Sequence, residues 1–446
     1  MVARDAGGCS SRRLQESHVH ATWLQQSGFP DGAAAATAAS FDGMWTAIEP
    51  LGRHPRTAGY RRYAWTREDA LLREWFAGEA AARGLDLVDD RAGNLWAWWG
   101  DPDADGPGVV MGSHVDSVPD GGAFDGPLGV VSALAAVDAL RARGIRPARP
   151  LGVAVFADEE GARFGVACAG SRLLTGALPP DRARRLTDRD GTTLADALTA
   201  AGREPGHLGR DDETLARVGT FVELHVEQGR ALSARDGGPP VAVGTGIWPH
   251  GRWRIDLPGE ANHAGTTALA DRHDPMVTFA RTALTARDAA ARHGALATCG
   301  KIAVAPNGVN AVPSLITAWL DARAPRVAAA RAVVDEVTAV AAADGGSVTE
   351  VSWTDATEFD SGLVDRLAAL LGLPGEPAPR LATGAGHDAG ILATAGVPAA
   401  MLFVRNPTGV SHSPAEHAER DDCLAGVGAL AAVVANLTGT RPEPAV

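Results

Sequence analysis

The 446-residue sequence predicts an α/β protein in which a larger domain with a covered sheet is interrupted by a smaller βαββαβ two-layer sandwich. Two observations carry this reading. Past residue 40, short and nearly continuous apolar runs alternate with helix-like stretches, the pattern of a sheet buried on both faces. Between about 248 and 360 the strands instead alternate polar and apolar residues, which leaves one sheet face open.

The elements follow in order. GVVMG (108–112) reads as a short strand. PLGVVSALAAVDALRARG (127–144) is rich in Ala, Leu and Val and ends in Gly144, a helix stop. LGVAVF (151–156), GTFVELHV (219–226) and PAAMLFV (398–404) read as further buried strands. In the middle, RWRIDL (252–257) and ITAWLDA (316–322) alternate, two Ala-rich helical stretches cover 275–294 and 326–346, and SVTEVSW (347–353) closes the segment. The order is strand, helix, strand, strand, helix, strand. The outer domain then comprises 39–247 and 361–446, and the inserted domain 248–360. Residues 1–38 lack an apolar core behind a basic start and read as a disordered N-terminal extension.

Composition excludes several classes. A formal net charge of -13 argues against a general nucleic-acid binder. The four cysteines lie far apart and form no CxxC, so no disulfide framework is expected and a reducing cytoplasm fits. No apolar stretch approaches the roughly 20 residues that span a bilayer, so no membrane partner is expected.

Polar clusters fall just after the apolar runs. GSHVDSVPDGGAFDG (112–126) follows the first, DEEG (158–161) follows LGVAVF, His225 ends the third, and GVSHSPAEH (409–417) follows PAAMLFV. In open α/β sheets, sites form beyond the carboxyl ends of the strands, so these stretches converge on one rim. His114, Asp125, Glu160, His225 and His412 are imidazoles and carboxylates without a thiolate. Such N/O sets suit Zn, Mn, Co or Ni. Five donors serve two ions if Asp125 bridges, and two ions close together activate water and polarise a carbonyl. Asp116 is placed to accept the second ring N–H of His114. Adjacent Glu159 and Glu160 are costly without a cation between them. Asp158 reads as a solvated or hydrogen-bonded residue at the strand end, outside the chemistry.

GSHVDSVPDGGAFDGPLGV, DEEGARFG, ELHVEQG, NHAGTT, PNGVNAVPS, LDAR, GAGHDA and GVSHSP resemble the M20-type metallopeptidase family over about residues 40–440. The closer resemblance is to its amidohydrolase branch: allantoate amidohydrolase, N-carbamoyl-L-amino acid hydrolase and β-ureidopropionase. It implies that the outer domain binds metal and catalyses, and that the insert is a lid and dimerisation domain, giving a homodimer. It implies one ion on His114, Asp125 and His225, and a second on Asp125, Glu160 and His412. Glu159 would be the general base. His263 would stabilise the oxyanion, often across a dimer interface. Gln228, Asn310, Arg323 and Gly409 would bind substrate, with Arg323 forking onto its carboxylate. Asp116 and His387 would support the ligands or line the substrate rim.

The activity implied is hydrolysis of a linear, non-peptide C–N bond in a carboxylate-bearing ureido compound, releasing ammonia and carbon dioxide. Allantoate stands first, then N-carbamoyl-L-amino acids, then N-formyl or N-formimino acidic amino acids. A dinuclear aminopeptidase or deacylase on the same scaffold, and a metal-free binding protein, are the rival readings. One departure is visible: Ala268-Leu269 follows NHAGTT where the family often has Pro-Met.

Overall fold

A computed structural model describes residues 31–233, 238–373 and 375–442. The chain forms two compact units, one of which takes up Gly246–Glu358 and Ala382–Ala385. The remainder of the described chain is the first unit.

The first unit is built on a mixed sheet. Its strands are β1 (Asp86–Asp89), β2 (Leu95–Trp99), β3 (Gly108–His114), β4 (Leu151–Phe156), β5 (Val218–Val226) and β6 (Val241–Ile247). In the second unit follow β7 (His250–Pro258), β8 (Leu296–Ala305), β9 (Leu315–Arg323) and β10 (Ser347–Thr354). The chain then returns to the large sheet with β11 (Ala399–Val404). The order across the large sheet is β1-β2-β4-β3-β5-β11-β6. Strands β4, β3, β5 and β11 run parallel to one another. Their residues are almost wholly buried, which is why they read as continuous apolar runs rather than alternating ones. Parallel pairing matters for function. It sets His114 opposite Phe156 and His225 opposite Phe403, so the carboxyl ends of the four strands share one rim.

Helices cover the sheet. The helix Pro127–Ala142 starts on a proline that already has the helical φ and is buried along most of its length. The C-terminal helix Arg420–Thr438 packs on it and on β11. By length and composition this last helix is apolar enough to cross a membrane, contrary to the expectation that no stretch comes close. Of its most apolar window, 72% is buried inside the first unit, so the apolar residues serve the core.

The expected disordered extension is corrected at its end. Residues 1–30 lie outside the described residues, but 31–38 begin a helix, Asp31–Ile48. Alanine is the best helix former, and small side chains let Ala33 and Thr37 bury against a neighbour. That neighbour is the helix Pro127–Ala142.

The second unit carries a four-stranded antiparallel sheet in the order β8-β9-β7-β10. The helices Pro275–His293 and Val327–Ala343 pack together on one face of it. Trp253, Ile255 and Leu257 alternate inward on β7, and Ile316, Ala318 and Leu320 do so on β9, forming its core. Strand β8 is largely exposed, and its weakly patterned sequence explains why no motif singles it out.

Candidate metal centre

Four loops meet at the rim of the large sheet. His114 ends β3, and the loop that follows carries Asp116 and Asp125. Gly126 makes room for the His114 ring: a Cβ there would stand 2.4 Å from His114 Cε1. Its φ of +86° is also one that residues with side chains avoid.

The turn after β4 begins at Asp158, which has φ +53°. This breaks the strand's alternation and lets both glutamates turn to the centre. Asp116 holds that turn. Its Oδ1 accepts the Glu159 N–H at 3.1 Å and its Oδ2 the Glu160 N–H at 3.0 Å. The expectation that its carboxylate fixes the His114 tautomer is corrected accordingly. His114 Nδ1 lies closer to the Asp116 carbonyl, at 3.2 Å, than to the carboxylate, at 3.5 Å. A carboxylate that already accepts two backbone donors is drawn toward them.

Asp125 is the hub. His225 Nε2 lies 3.1 Å and His114 Nε2 3.5 Å from its Oδ1. His412 Nε2 lies 3.4 Å from its Oδ2, and 3.6 Å from Glu160 Oε2. Two donor groups result, His114–Asp125–His225 and Asp125–Glu160–His412, each with ligand atoms within 4.8 Å of one another. The Nε2 atoms of His114 and His225 and Oε1 of Glu160 are buried without any hydrogen-bond partner. Such orphans are costly in a folded interior. Second imidazole nitrogens are already spoken for, His225 Nδ1 by the Val226 carbonyl at 2.9 Å, which aims Nε2 inward. The residues therefore fit divalent ions on N/O donors.

The model of the peptidase family M20/M25/M40 matches residues 110–436. The chain belongs to that family. It is 35% identical over 87% of its length to an N-carbamoyl-L-amino acid amidohydrolase of Geobacillus stearothermophilus, covering 96% of that protein. It is 32% identical over 87% of its length to the allantoate amidohydrolase of Escherichia coli (strain K12), covering 95%. A hydantoinase/carbamoylase family amidase from Burkholderia ambifaria has the same fold, with a TM-score of 0.75 at 34% identity over 91% of this chain and 98% of that one. This M20 chain is thus a hydrolase of carbon–nitrogen bonds from a metal-dependent family.

The charges of the M20 centre follow from burial and neighbours. Burial would push the His114 imidazole down, but Glu159, Asp116 and Asp125 more than offset it and raise it well above its usual range. His412 is pushed up to about 9, chiefly by its hydrogen bond to Asp125. Burial and then Asp125 push Glu160 up to about 7. Burial also raises Glu159 well above the carboxylate range; His114 opposes this, while Asp388 and Glu160 add to it. Protons thus gather where cations would otherwise balance the acids.

Glu159 Oε2 lies 3.7 Å from His114 Nε2, and the Cys168 thiol donates to its Oε1 at 3.4 Å. Burial, then Glu159 and Asp388, keep that sulfur a thiol. Gln228 Nε2 donates to Asp125 Oδ2 at 2.8 Å, so it sits against the hub. The Gly409 N–H is committed to Asn406 Oδ1 at 2.9 Å, which leaves only its carbonyl for a substrate. His387 does not line a rim. It is buried, both its ring nitrogens lack partners, and its ring lies 4.5 Å from that of His225. Asp158 is corrected too: its carboxylate is neither solvated nor hydrogen-bonded, the residue being 3% exposed with both Oδ atoms unpartnered. Burial, followed by Asp116 and Asp69, raises it well above the usual range.

The second unit holds three further residues of interest. His263 and Asn310 are neighbours, since Ala311 pairs with His263 and the Ala264 N–H donates to the Asn310 carbonyl at 2.9 Å. His263 Nδ1 accepts the N–H groups of Gly265 and Thr266 at 3.0 and 3.1 Å, so in the neutral ring the proton sits on Nε2. Arg272 ties down the same loop through the carbonyls of Ala264 and Thr267. Arg323 is engaged by Asp321 through Nε and Nη2, at 2.6 and 2.9 Å, and donates through Nη1 to the Gly384 carbonyl. The Nη1/Nη2 edge of the guanidinium retains one N–H on each nitrogen.

Sequence reasoning passed over Glu223 and Glu416. Glu223 shares a strand face with His225, accepting Ser113 Oγ at 2.8 Å and the Ala389 N–H at 3.0 Å. An acid two residues from a ligand on a buried strand was the available signal.

Proposed function

We propose that the chain hydrolyses the carbamoyl group of a linear ureido carboxylate, using two divalent ions, Zn or Mn first, with Ni or Co also compatible with the donors. The observation that carries the reading is the division of Asp125: two histidines face one oxygen and a third faces the other, with Glu159 beside them. His114, Asp125 and His225 would hold one ion, and Asp125, Glu160 and His412 the other. Bound there, the ions would supply Lewis acidity toward a carbonyl and acidify water.

The chain's own residues do the rest. Glu159 accepts the proton of the attacking water and returns it to the leaving nitrogen. Cys168 holds one oxygen of Glu159, leaving the other for this exchange. From the second unit, of its own chain or of a partner copy, His263 donates its Nε2–H to the developing oxyanion. Arg323 offers its free edge to the substrate carboxylate, and Asn310 and Gln228 provide amide contacts. The products are the amine, ammonia and carbon dioxide.

Allantoate is the first substrate to test, supported by the long match to the Escherichia coli allantoate amidohydrolase. N-carbamoyl-L-amino acids are the second, favoured by the higher identity to the Geobacillus protein. The deciding experiment is an ammonia-release assay on allantoate, several N-carbamoyl-L-amino acids and dipeptides, with Mn and with Zn. Turnover of dipeptides alone would refute the proposal.

A further inference from the structure

We propose that Glu416 is a positioning residue for the metal centre, its carboxylate clamping the loop that carries Asp125 to the loop that carries His412. The proposal rests on the reading of Asp125 as the ligand shared by both ions.

Glu416 is 5% exposed and lies far from Asp125 in sequence. Its Oε2 accepts two consecutive backbone donors, the N–H of Phe124 at 2.8 Å and of Asp125 at 3.0 Å. Its Oε1 lies 3.0 Å from Ser411 Oγ, which also lies 3.1 Å from Asp125 Oδ2. One acid thus ties the backbone of Asp125 to the residue next to His412. The fit is built on both sides. A Cβ on Gly122 would stand 2.2 Å from Oε2 of Glu416, so glycine there leaves the carboxylate its place. The Phe124 ring is held by Trp45 at 4.9 Å and by His417 at 6.0 Å, which fixes the peptide that donates to Glu416.

The contacts require an acceptor facing the two amides and a second polar atom facing Ser411. A carboxylate only accepts, and one oxygen can receive two amide N–H groups while the other receives a hydroxyl. A glutamine amide could keep the two backbone bonds through its oxygen and donate its NH2 to Ser411 Oγ, whose own proton then goes to Asp125 Oδ2, so only removal of the side-chain head opens the clamp. Asp116 plays the corresponding part across the centre, holding the amides of Glu159 and Glu160. The two clamps act on different ligands. Because Asp125 serves both ions, loosening Glu416 must weaken both together. Groups that orient metal ligands in this way are worth about 10- to 100-fold in affinity.

The test is calorimetric titration of Mn and of Zn into metal-free full-length protein, for the wild type, Glu416→Ala and Ser411→Ala. Thermal melts of each metal-free protein accompany the titrations. The expected result is a loss of about 10- to 100-fold at both sites in Glu416→Ala, and a smaller loss in the same sense in Ser411→Ala. A merely structural role would lower the metal-free melting temperature and leave both affinities in place. Wild-type affinity in a folded Glu416→Ala, or a loss confined to one ion, overturns the proposal. Should Glu416→Ala not fold, unchanged affinity in Ser411→Ala overturns it. A wild type that takes up no ion at all fails in a different way, by removing the metal reading itself.

Discussion

His225 Nε2 stands 3.1 Å from Asp125 Oδ1, the shortest approach between an imidazole and an acid in the centre, while Oδ2 of the same acid faces His412, Gln228 and Ser411. That asymmetry makes Asp125 and His412 distinguishable by mutation. Asp125→Asn removes the charge that the two proposed ions would share and is expected to abolish tight binding of both. His412→Ala removes a ligand from one only. Metal analysis of the purified variants checks this, and equal losses in the two would contradict the division of ligands.

Glu159→Gln keeps the size of the side chain and every donor of the two metal groups. Metal content is expected to stay at the wild-type level while kcat falls by about 10²- to 10⁴-fold, the usual worth of a positioned acid–base group. Steady-state kinetics beside metal analysis decide it. Full turnover would exclude Glu159 as the base.

His263 and Arg323 are expected to fail differently. His263→Ala removes a donor needed only as charge develops, so kcat falls by about 10²- to 10³-fold with little change in KM. Arg323→Lys replaces a planar fork by a point charge and raises KM about tenfold or more. A carboxylate-free ureido compound should not sense Arg323→Lys, and a full effect on it would count against the carboxylate contact.

The metal-free protein should respond to pH in a defined direction. Glu160 is raised from 4.5 to about 7, so the stability its protonated form contributes is complete below about 4.5 and lost as pH rises through about 7. His412 is raised from 6.5 to about 9, and its contribution is complete below about 6.5 and lost as pH rises through about 9. Ions need both groups deprotonated. The rise in melting temperature on adding Mn or Zn should therefore grow between about pH 6 and about pH 8.5. A gain that shrinks over that range would be inconsistent with these ligands.

Much of the layout was legible in the sequence because it depends on strands buried on both faces. LGVAVF and VELHV announce themselves as apolar runs, and parallel pairing then obliges the residues after them to share a rim. The other partners of the ligands left no such mark. Glu416 and Asp116 act on backbone N–H groups, and a backbone amide has no side chain to pattern. Asp158 looked like a solvated acid because its neighbours in sequence are acids; what surrounds it in space is a packed interior. Arg323 read as a fork onto substrate, although Asp321, two residues away on an alternating strand and so on the same face, was the available signal that the fork is partly engaged.

The sequence by itself determined which imidazoles and carboxylates fall at the strand ends, because hydrophobic period and strand direction are local properties. Tertiary structure alone decided how Asp125 divides its two oxygens, which acids clamp the ligand loops, and that residues 31–38 continue as helix. Those outcomes depend on contacts between segments remote in the chain. Their energies come from burial and from partners that no local pattern can name.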